Sequence, residues 1–103
     1  MTIYRVENEV GVGCYRENNN IVVAVLIAKH DNSLGRHPTP RIDKGIDRGI
    51  RVGEICGFID YKQARDWFEP EELVALYEIG YTLKQVEVKE ITAVGQKQVL
   101  ALR

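Results

Sequence analysis

The sequence predicts an α+β domain with a small mixed or antiparallel sheet, two to three helices and one long loop. Segments rich in β-branched and aromatic residues occur near both ends of the chain, as strands require. Two segments in the second half carry helix start and stop signals. Between residues 31 and 53, seven glycine, proline and asparagine residues mark a loop. Strands and helices that occupy separate parts of a chain are typical of the α+β class.

The length and charge exclude several classes of protein. The chain has 103 residues and a mass of 11.7 kDa, which predicts one domain over residues 1–103. Fourteen Lys and Arg against fifteen Asp and Glu give a net charge of −1, which argues against direct nucleic-acid binding. The longest apolar run, residues 21–28, is far shorter than the roughly 20 residues of a membrane span. Because no signal peptide is recognisable either, we expect a cytoplasmic protein with no membrane contact.

The first strand is predicted over Thr2–Glu7, which is rich in β-formers and has no breaker. Alternation places Arg5 on one face with Ile3 and Glu7, opposite Val6. A polar turn is predicted over residues 17–20.

The segment Ile21–His30 leaves two alternatives open. Its valines and isoleucines favour a strand, but it is long for a strand, and Asn20 is suited to cap a helix. We favour the helix. The loop over residues 31–53 follows, and a loop this long is usually functional or mobile. Three isoleucines are expected to attach it to the rest of the domain: Ile42, Ile46 and Ile50.

The second half of the chain begins with a short strand over Glu54–Ile59, in which Gly57 marks a close approach of two backbones. Asp60 and Gln63 have the spacing of a capping box, so a helix should start there. Pro70 suits the first turn of a second helix, and Gly80 suits its end. The inner stripe of that second helix is predicted to be Leu73, Leu76 and Tyr77.

Two closing strands are predicted. The first covers Tyr81–Glu90, where the apolar alternation slips and indicates a bulge near Lys84–Gln85. Residues 91–94 could continue it. The last strand is predicted over Gln96–Leu102.

The charges are segregated along the chain. Residues 29–51 hold six bases and three acids, whereas residues 54–78 hold seven acids and two bases. Two faces of opposite potential would suit docking to a charged partner. Alternatively, the two regions neutralise each other or face water. The candidate partner-binding residues are Arg41, Lys44, Arg48 and Arg51 in the loop, and Asp66, Glu69, Glu71 and Glu72 in the helical region.

The residue pattern favours a binding protein over an enzyme. Ser33 is the only serine, and the glycines form no phosphate-binding motif. Cys14 and Cys56 form no CxxC pair and have no histidine at zinc-ligand spacing. We therefore expect reduced, partly buried thiols, no metal site and no cofactor.

Arg5, Gln96 and Gln98 are the candidate residues for ligand chemistry. An arginine on a core-facing strand needs an anionic partner. Two glutamines at i and i+2 on a strand project from one face, where they can line a pocket. The alternatives are an arginine whose charged end reaches water and an edge strand with a solvent-facing side.

Short motifs resemble, in their order, a family of short, uncharacterised proteins carried by bacteriophages and prophages. They are YRVE at 4–7, GVGCY at 11–15, HPTP at 37–40, CGF at 56–58, WF at 67–68, EL at 72–73, GY at 80–81 and GQKQVL at 95–100. The resemblance covers almost the whole chain. The family brings no established activity. Together with the small size, the absence of a complete catalytic set and the segregated charges, the resemblance predicts a small phage protein that binds and inhibits a host machine, such as a CRISPR effector or another defence component, by protein contact.

A more distant resemblance is to the ADP-ribosyltransferase fold. In that fold an opening strand carries an Arg or His that contacts NAD, and a late strand carries a Glu- or Gln-x-Glu pattern. Arg5 matches the first position, and Gln96 and Gln98 match the second. Gln98 replaces the catalytic glutamate, and a neutral amide cannot stabilise a positive transition state. The resemblance therefore implies an NAD or nucleotide pocket without catalysis.

Overall fold

The computed structural model describes residues 1–16 and 19–103 and has an α+β fold, which confirms the predicted class. Within these residues, five strands form two antiparallel sheets and three α-helices pack against them. The elements are β1 (Thr2–Glu7), α1 (Ile21–Asp31), β2 (Glu54–Gly57), α2 (Tyr61–Trp67), α3 (Pro70–Glu78), β3 (Thr82–Glu87), β4 (Glu90–Val94) and β5 (Val99–Leu102). A short 3₁₀ helix covers Cys14–Arg16. The polar turn predicted for residues 17–20 lies partly outside the described residues.

The two sheets meet at a close backbone contact. β1 pairs with β3, and β5 lies between β2 and β4. Tyr4 and Phe58 exchange two backbone hydrogen bonds, of 2.8 and 2.7 Å, and so join the sheets. A Cβ on Gly57 would lie 2.5 Å from the Ile3 side chain and 2.7 Å from the Tyr4 carbonyl oxygen. This confirms the predicted close approach at Gly57.

β3 pairs with β1 in unbroken register, so the bulge predicted near Lys84–Gln85 is wrong. The apolar pattern slips there because both faces of β3 are packed. Leu83 contacts the larger core cluster, whereas Val86 belongs to the smaller one. The register shift lies in β4 instead, between Ile91 and Ala93. β4 does not continue β3, because it pairs with β5 in the other sheet.

The helix interpretation of residues 21–30 is confirmed. Asn20 caps α1 by accepting a hydrogen bond of 2.9 Å from the Val22 backbone N–H. Val23, Leu26 and His30 are buried at spacings of three and four residues, which is the period of a helix. Packing on this face outweighs the β-propensity of the valines and isoleucines.

α2 and α3 begin and end close to the predicted positions. The Asp60 side chain caps α2 by accepting from the Gln63 N–H at 2.8 Å. Gly80, with a φ of +99°, terminates α3. Tyr77 is 69% exposed, so its predicted place in the inner stripe is wrong. Glu72 is buried instead, and the helix is rotated to bring this carboxylate into the core.

The long loop is held to the body mainly by a carboxylate. Ile46 is buried as expected, but Ile42 and Ile50 are exposed, so the attachment predicted for them is wrong. Asp43 is only 2% exposed. Its carboxylate accepts backbone hydrogen bonds of 2.8–3.3 Å from residues 96, 97 and 98. A Cβ on Gly95 would lie 2.3 Å from an Asp43 oxygen, so only glycine fits there.

This contact also shortens the last strand. The backbone N–H groups of residues 96–98 turn towards Asp43, and β5 therefore starts at Val99 instead of Gln96. Gln96 and Gln98 consequently lie in a turn, and the prediction that they share one face of a strand is wrong.

We expect Asp43→Ala to lower the free energy of unfolding by about 2–3 kcal/mol, because buried N–H groups lose a charged acceptor. Urea denaturation of the purified protein measures this change. The control is Asp66→Ala, which removes one exposed pair with Lys62 and should change stability by about 0.5 kcal/mol or less. Equal losses in the two variants would contradict the role of Asp43.

Candidate functional site

A cavity of about 350 Å³ lies where the two sheets, the end of α1 and the long loop meet. Strand β1 and the last turns of α1 contribute to its wall. The other lining segments are residues 13–15, 37–40, 56–58 and 67–68. Pockets that bind small molecules are of this size or larger, and they combine apolar walls with a few converging polar groups.

Two of the three candidate ligand residues reach this cavity. Arg5 and Gln98 both line it, although they are 93 positions apart in the sequence. The Gln98 amide is buried and donates to the Pro38 carbonyl oxygen at 2.7 Å. Gln96 is not among the lining residues, because its segment turns towards Asp43 and its side chain is exposed.

Arg5 has the anionic partner that its position required. Its Nε donates to Glu7 at 3.1 Å, and its Nη1 donates to the Cys56 carbonyl oxygen at 2.6 Å. Nη2 lies beside Gly13, where a Cβ would be only 2.8 Å away. The absence of a side chain at Gly13 therefore makes room for the guanidinium group.

Glu7 is buried among three positive charges. Arg103 binds its carboxylate at 2.6 and 2.8 Å, and Lys84 lies 3.6 Å away. Burial opposes ionisation of Glu7, but the hydrogen bonds and charges of Arg103 and Arg5 outweigh it and hold its pKa below the ordinary value. With one carboxylate for three cations, this cluster carries excess positive charge, and Arg5 is the member that lines the cavity.

Another part of the cavity wall is a hydrogen-bonded aromatic cluster. Tyr15 accepts a hydrogen bond of 2.8 Å from Trp67 Nε1, so its own hydroxyl hydrogen is free to donate to His30 Nδ1 at 2.6 Å. His30 Nε2–H then donates to Glu72 at 3.1 Å. This chain of bonds assigns the proton of neutral His30 to Nε2.

His37 stacks on His30, with ring centroids 3.7 Å apart and the planes within 6° of parallel. Its Nε2 donates to the Trp67 carbonyl oxygen at 2.5 Å. His37 Nδ1 is buried and has no hydrogen-bond partner among the described residues. Buried nitrogen atoms without a hydrogen-bond partner are rare in folded proteins, so the unpaired Nδ1 distinguishes this part of the cavity wall from an ordinary core.

Burial keeps the thiols of Cys14 and Cys56 and the phenol of Tyr15 protonated at neutral pH. It raises the pKa of the Cys14 thiol to about 12 and also raises those of Cys56 and Tyr15. Both cysteines are free thiols. Because the thiolate is the reactive form, neither is activated as a nucleophile. The described part of the chain holds no group of three metal-ligating side chains.

The candidate partner-binding charges are only partly available at the surface. Glu72 is buried against His30, and it also accepts from the Glu69 backbone N–H at 2.8 Å to cap α3. Glu69 and Asp66 pair with Lys29 and Lys62. The exposed acid without a salt bridge to any described residue is Glu71.

In the loop, Arg48 binds Glu54 through two hydrogen bonds of 2.8 Å. These bonds lower the pKa of Glu54 well below its ordinary value. Arg41, Lys44 and Arg51 are exposed and form no salt bridge with the described residues. The basic charge that can reach a partner therefore comes from these three side chains.

A second, apolar site lies between α1 and α3. α1 is hydrophobic around its whole circumference, and Ile21 and Val25 on its outer side are 75% and 61% exposed. A groove of about 340 Å³ runs beside them and is bounded by Ala75 of α3. A helix that is apolar all round is normally buried. The outer face of α1 therefore has the composition of a contact surface.

Comparison with known proteins identifies one family. The family model described as "Bacteriophage T4 Y00F protein" matches residues 1–103. No curated protein and no solved structure gives a significant match to the chain. Among the described residues, no helix is long and apolar enough to cross a membrane.

We expect the free energy of unfolding to decrease as the pH falls below about 6.5. Burial, together with the charge of His37, holds the pKa of His30 below its unfolded value despite the hydrogen bond to Glu72. The unfolded state then binds the proton more tightly, so acid favours unfolding. Urea denaturation at pH 7.5, 6.5 and 5.5 measures the slope. In His30→Gln the decrease over this interval should be smaller, and an unchanged slope would contradict the assignment.

Proposed function

The chain belongs to the bacteriophage T4 Y00F protein family, and we propose that it is a phage-encoded protein that acts in the host cytoplasm. On this proposal it binds a host machine, such as a CRISPR effector or another defence component, and inhibits it by protein contact. The single observation that carries the proposal is the uncovered apolar face of α1 beside the α1–α3 groove.

This face is unusual for a surface helix. Ile21 and Val25 are one turn apart, and the alanines at 24 and 28 on the same side are also exposed. An exposed apolar patch of this kind on a small protein typically marks a contact surface. The groove between two helices suits a third helix, whose apolar side chains would fill it.

The charges around the groove favour a partner with basic residues. Lys29 lies at its edge, but Lys29 already binds Glu69 at 2.8 Å and lies 3.4 Å from Glu72. Glu71 of α3 lines the groove, is exposed and forms no salt bridge with the described residues. The margin is therefore acidic, and it complements a host helix whose apolar residues are flanked by Lys or Arg. A second copy of this chain would bring the same acids to the contact.

The host machine would be inhibited because one of its helices is held in the α1–α3 groove. A host subunit that uses a basic, amphipathic helix for its own assembly or substrate binding cannot use it while the helix lies in this groove. The exposed bases Arg41, Lys44 and Arg51 offer a separate contact of opposite charge on the loop.

We expect Val25→Lys to reduce capture of the host partner at least tenfold, because a positive charge would enter the apolar face opposite basic flanks. Tagged protein is used to isolate partners from host extract, and the affinity of the purified partner is then measured by titration. Val52→Lys is the matched control, since Val52 is fully exposed and lies outside the groove. It should retain the partner.

Two outcomes would contradict the proposal. One is equal partner binding by the two variants. The other is a dimer in solution, measured by light scattering, that Val25→Lys converts to a monomer, because the groove would then bind a second copy of this chain.

A second candidate function is nucleotide binding of the ADP-ribosyltransferase type, without catalysis. It is favoured by Arg5 and Gln98, which line one cavity as the resemblance implies. On the resemblance, Gln98 corresponds to the catalytic glutamate of that fold, and in the structure its amide donates to the Pro38 carbonyl oxygen. Under this candidate the cofactor is NAD or a related nucleotide.

A further inference from the structure

The cavity presents rigid aromatic surfaces at one end. His37 is held between the parallel ring of His30, at 3.7 Å, and the edge of Trp67, at 4.9 Å. Phe58 packs against Trp67 at 5.6 Å, and Tyr15 is fixed by its two hydrogen bonds. Such faces and edges favour a flat ring with extended π-electrons over an aliphatic ligand.

The other end of the cavity favours an anion. Arg5 is fixed by Glu7 and by the Cys56 carbonyl oxygen, yet its Nη2 forms no hydrogen bond with any described residue. The single carboxylate of Glu7 faces three cations, so the cluster keeps a net positive charge. Of these cations Arg5 lines the cavity, and the acid that also lines it is Asp31. A guanidinium that is held in place with a free N–H is suited to bind a phosphate or carboxylate.

One polar atom in the aromatic wall also lacks a partner. Among the described residues, His37 Nδ1 is the buried side-chain nitrogen or oxygen without a hydrogen bond. Since Nε2 carries the proton and donates to Trp67, Nδ1 is an acceptor. The atom is closed to solvent, so it remains an unpaired acceptor inside the cavity wall.

We infer that this cavity binds a small aromatic anion of mononucleotide size, with its ring at the His37–Trp67 wall and its anionic group at Arg5. A volume of about 350 Å³ is near the lower limit of small-molecule pockets, which favours a mononucleotide over a dinucleotide. The inference rests on the second candidate function and names its ligand class. It is independent of partner docking at the α1–α3 groove.

The experiment is a titration of the full chain with AMP, followed by the fluorescence of Trp67. Trp67 is the only tryptophan and lines the cavity, so a change in its emission reports occupancy of this site. We expect saturable binding of AMP below millimolar concentration. Adenosine, which lacks the anion, and inorganic phosphate, which lacks the ring, should each bind at least tenfold more weakly.

Two variants with a matched control test the role of Arg5. Arg5→Gln should weaken AMP binding at least tenfold. Arg51→Gln removes an exposed positive charge that forms no salt bridge with the described residues and lies outside the cavity, so its affinity should stay within twofold of the parent. If Arg5→Gln fails to fold, Gly13→Ala replaces it, because a Cβ there displaces the flexible end of Arg5 and leaves the residue present.

Several results would overturn the inference. They are no change in Trp67 emission with millimolar AMP, equal binding of adenosine and AMP, or equal losses in Arg5→Gln and Arg51→Gln. Saturable binding of NAD without binding of AMP would overturn the mononucleotide assignment and leave the second candidate function standing. Partner capture that depends on Val25 but not on Arg5 would leave the docking proposal intact, whatever the result with AMP.

Discussion

The buried carboxylate of Asp43 is the contact on which the rest of the site depends. It joins the long loop to the turn before β5 through backbone N–H groups, and Gly95 leaves the space that it needs. With that turn in place, Gln98 holds the Pro38 carbonyl oxygen, and the neighbouring His37 is brought onto His30. One set of hydrogen bonds to a single carboxylate, between distant segments, therefore closes the wall of the cavity.

The polar groups inside the fold are arranged as connected networks. Glu7 forms salt bridges with Arg5, Lys84 and Arg103. Glu72 connects α3 to the end of α1 by its hydrogen bond with His30. A buried charge is tolerated only when it is paired and hydrogen-bonded, so each carboxylate constrains the elements around it. The same networks supply the two properties of the cavity: a fixed guanidinium at one end and oriented rings at the other. The net charge of −1 gives no indication of either the guanidinium or the oriented rings.

Much of the secondary structure could be predicted, because its signals are local. The cap at Asn20, the cap at Asp60 and the glycine at Gly80 act within one turn of the chain, and each was read correctly. The predictions of a bulge in β3 and of the inner stripe of α3 are wrong because tertiary packing there changes which residues are buried. Strand β3 buries residues on both faces, which imitates a bulge, and α3 turns a glutamate inward where Tyr77 was expected.

The sequence by itself determined the fold class, the start and end of most elements and the need of Arg5 for an anionic partner, because these follow from residue type and spacing along the chain. It also carried the motifs of the phage family. Only the tertiary structure decided that Gln98 reaches the cavity while Gln96 does not, and that Tyr15, His30, His37 and Trp67 form its wall. The physical reason is that these contacts join segments tens of residues apart. Side chains from such segments are brought together by the pairing of the strands and by the hydrogen bonds of Asp43.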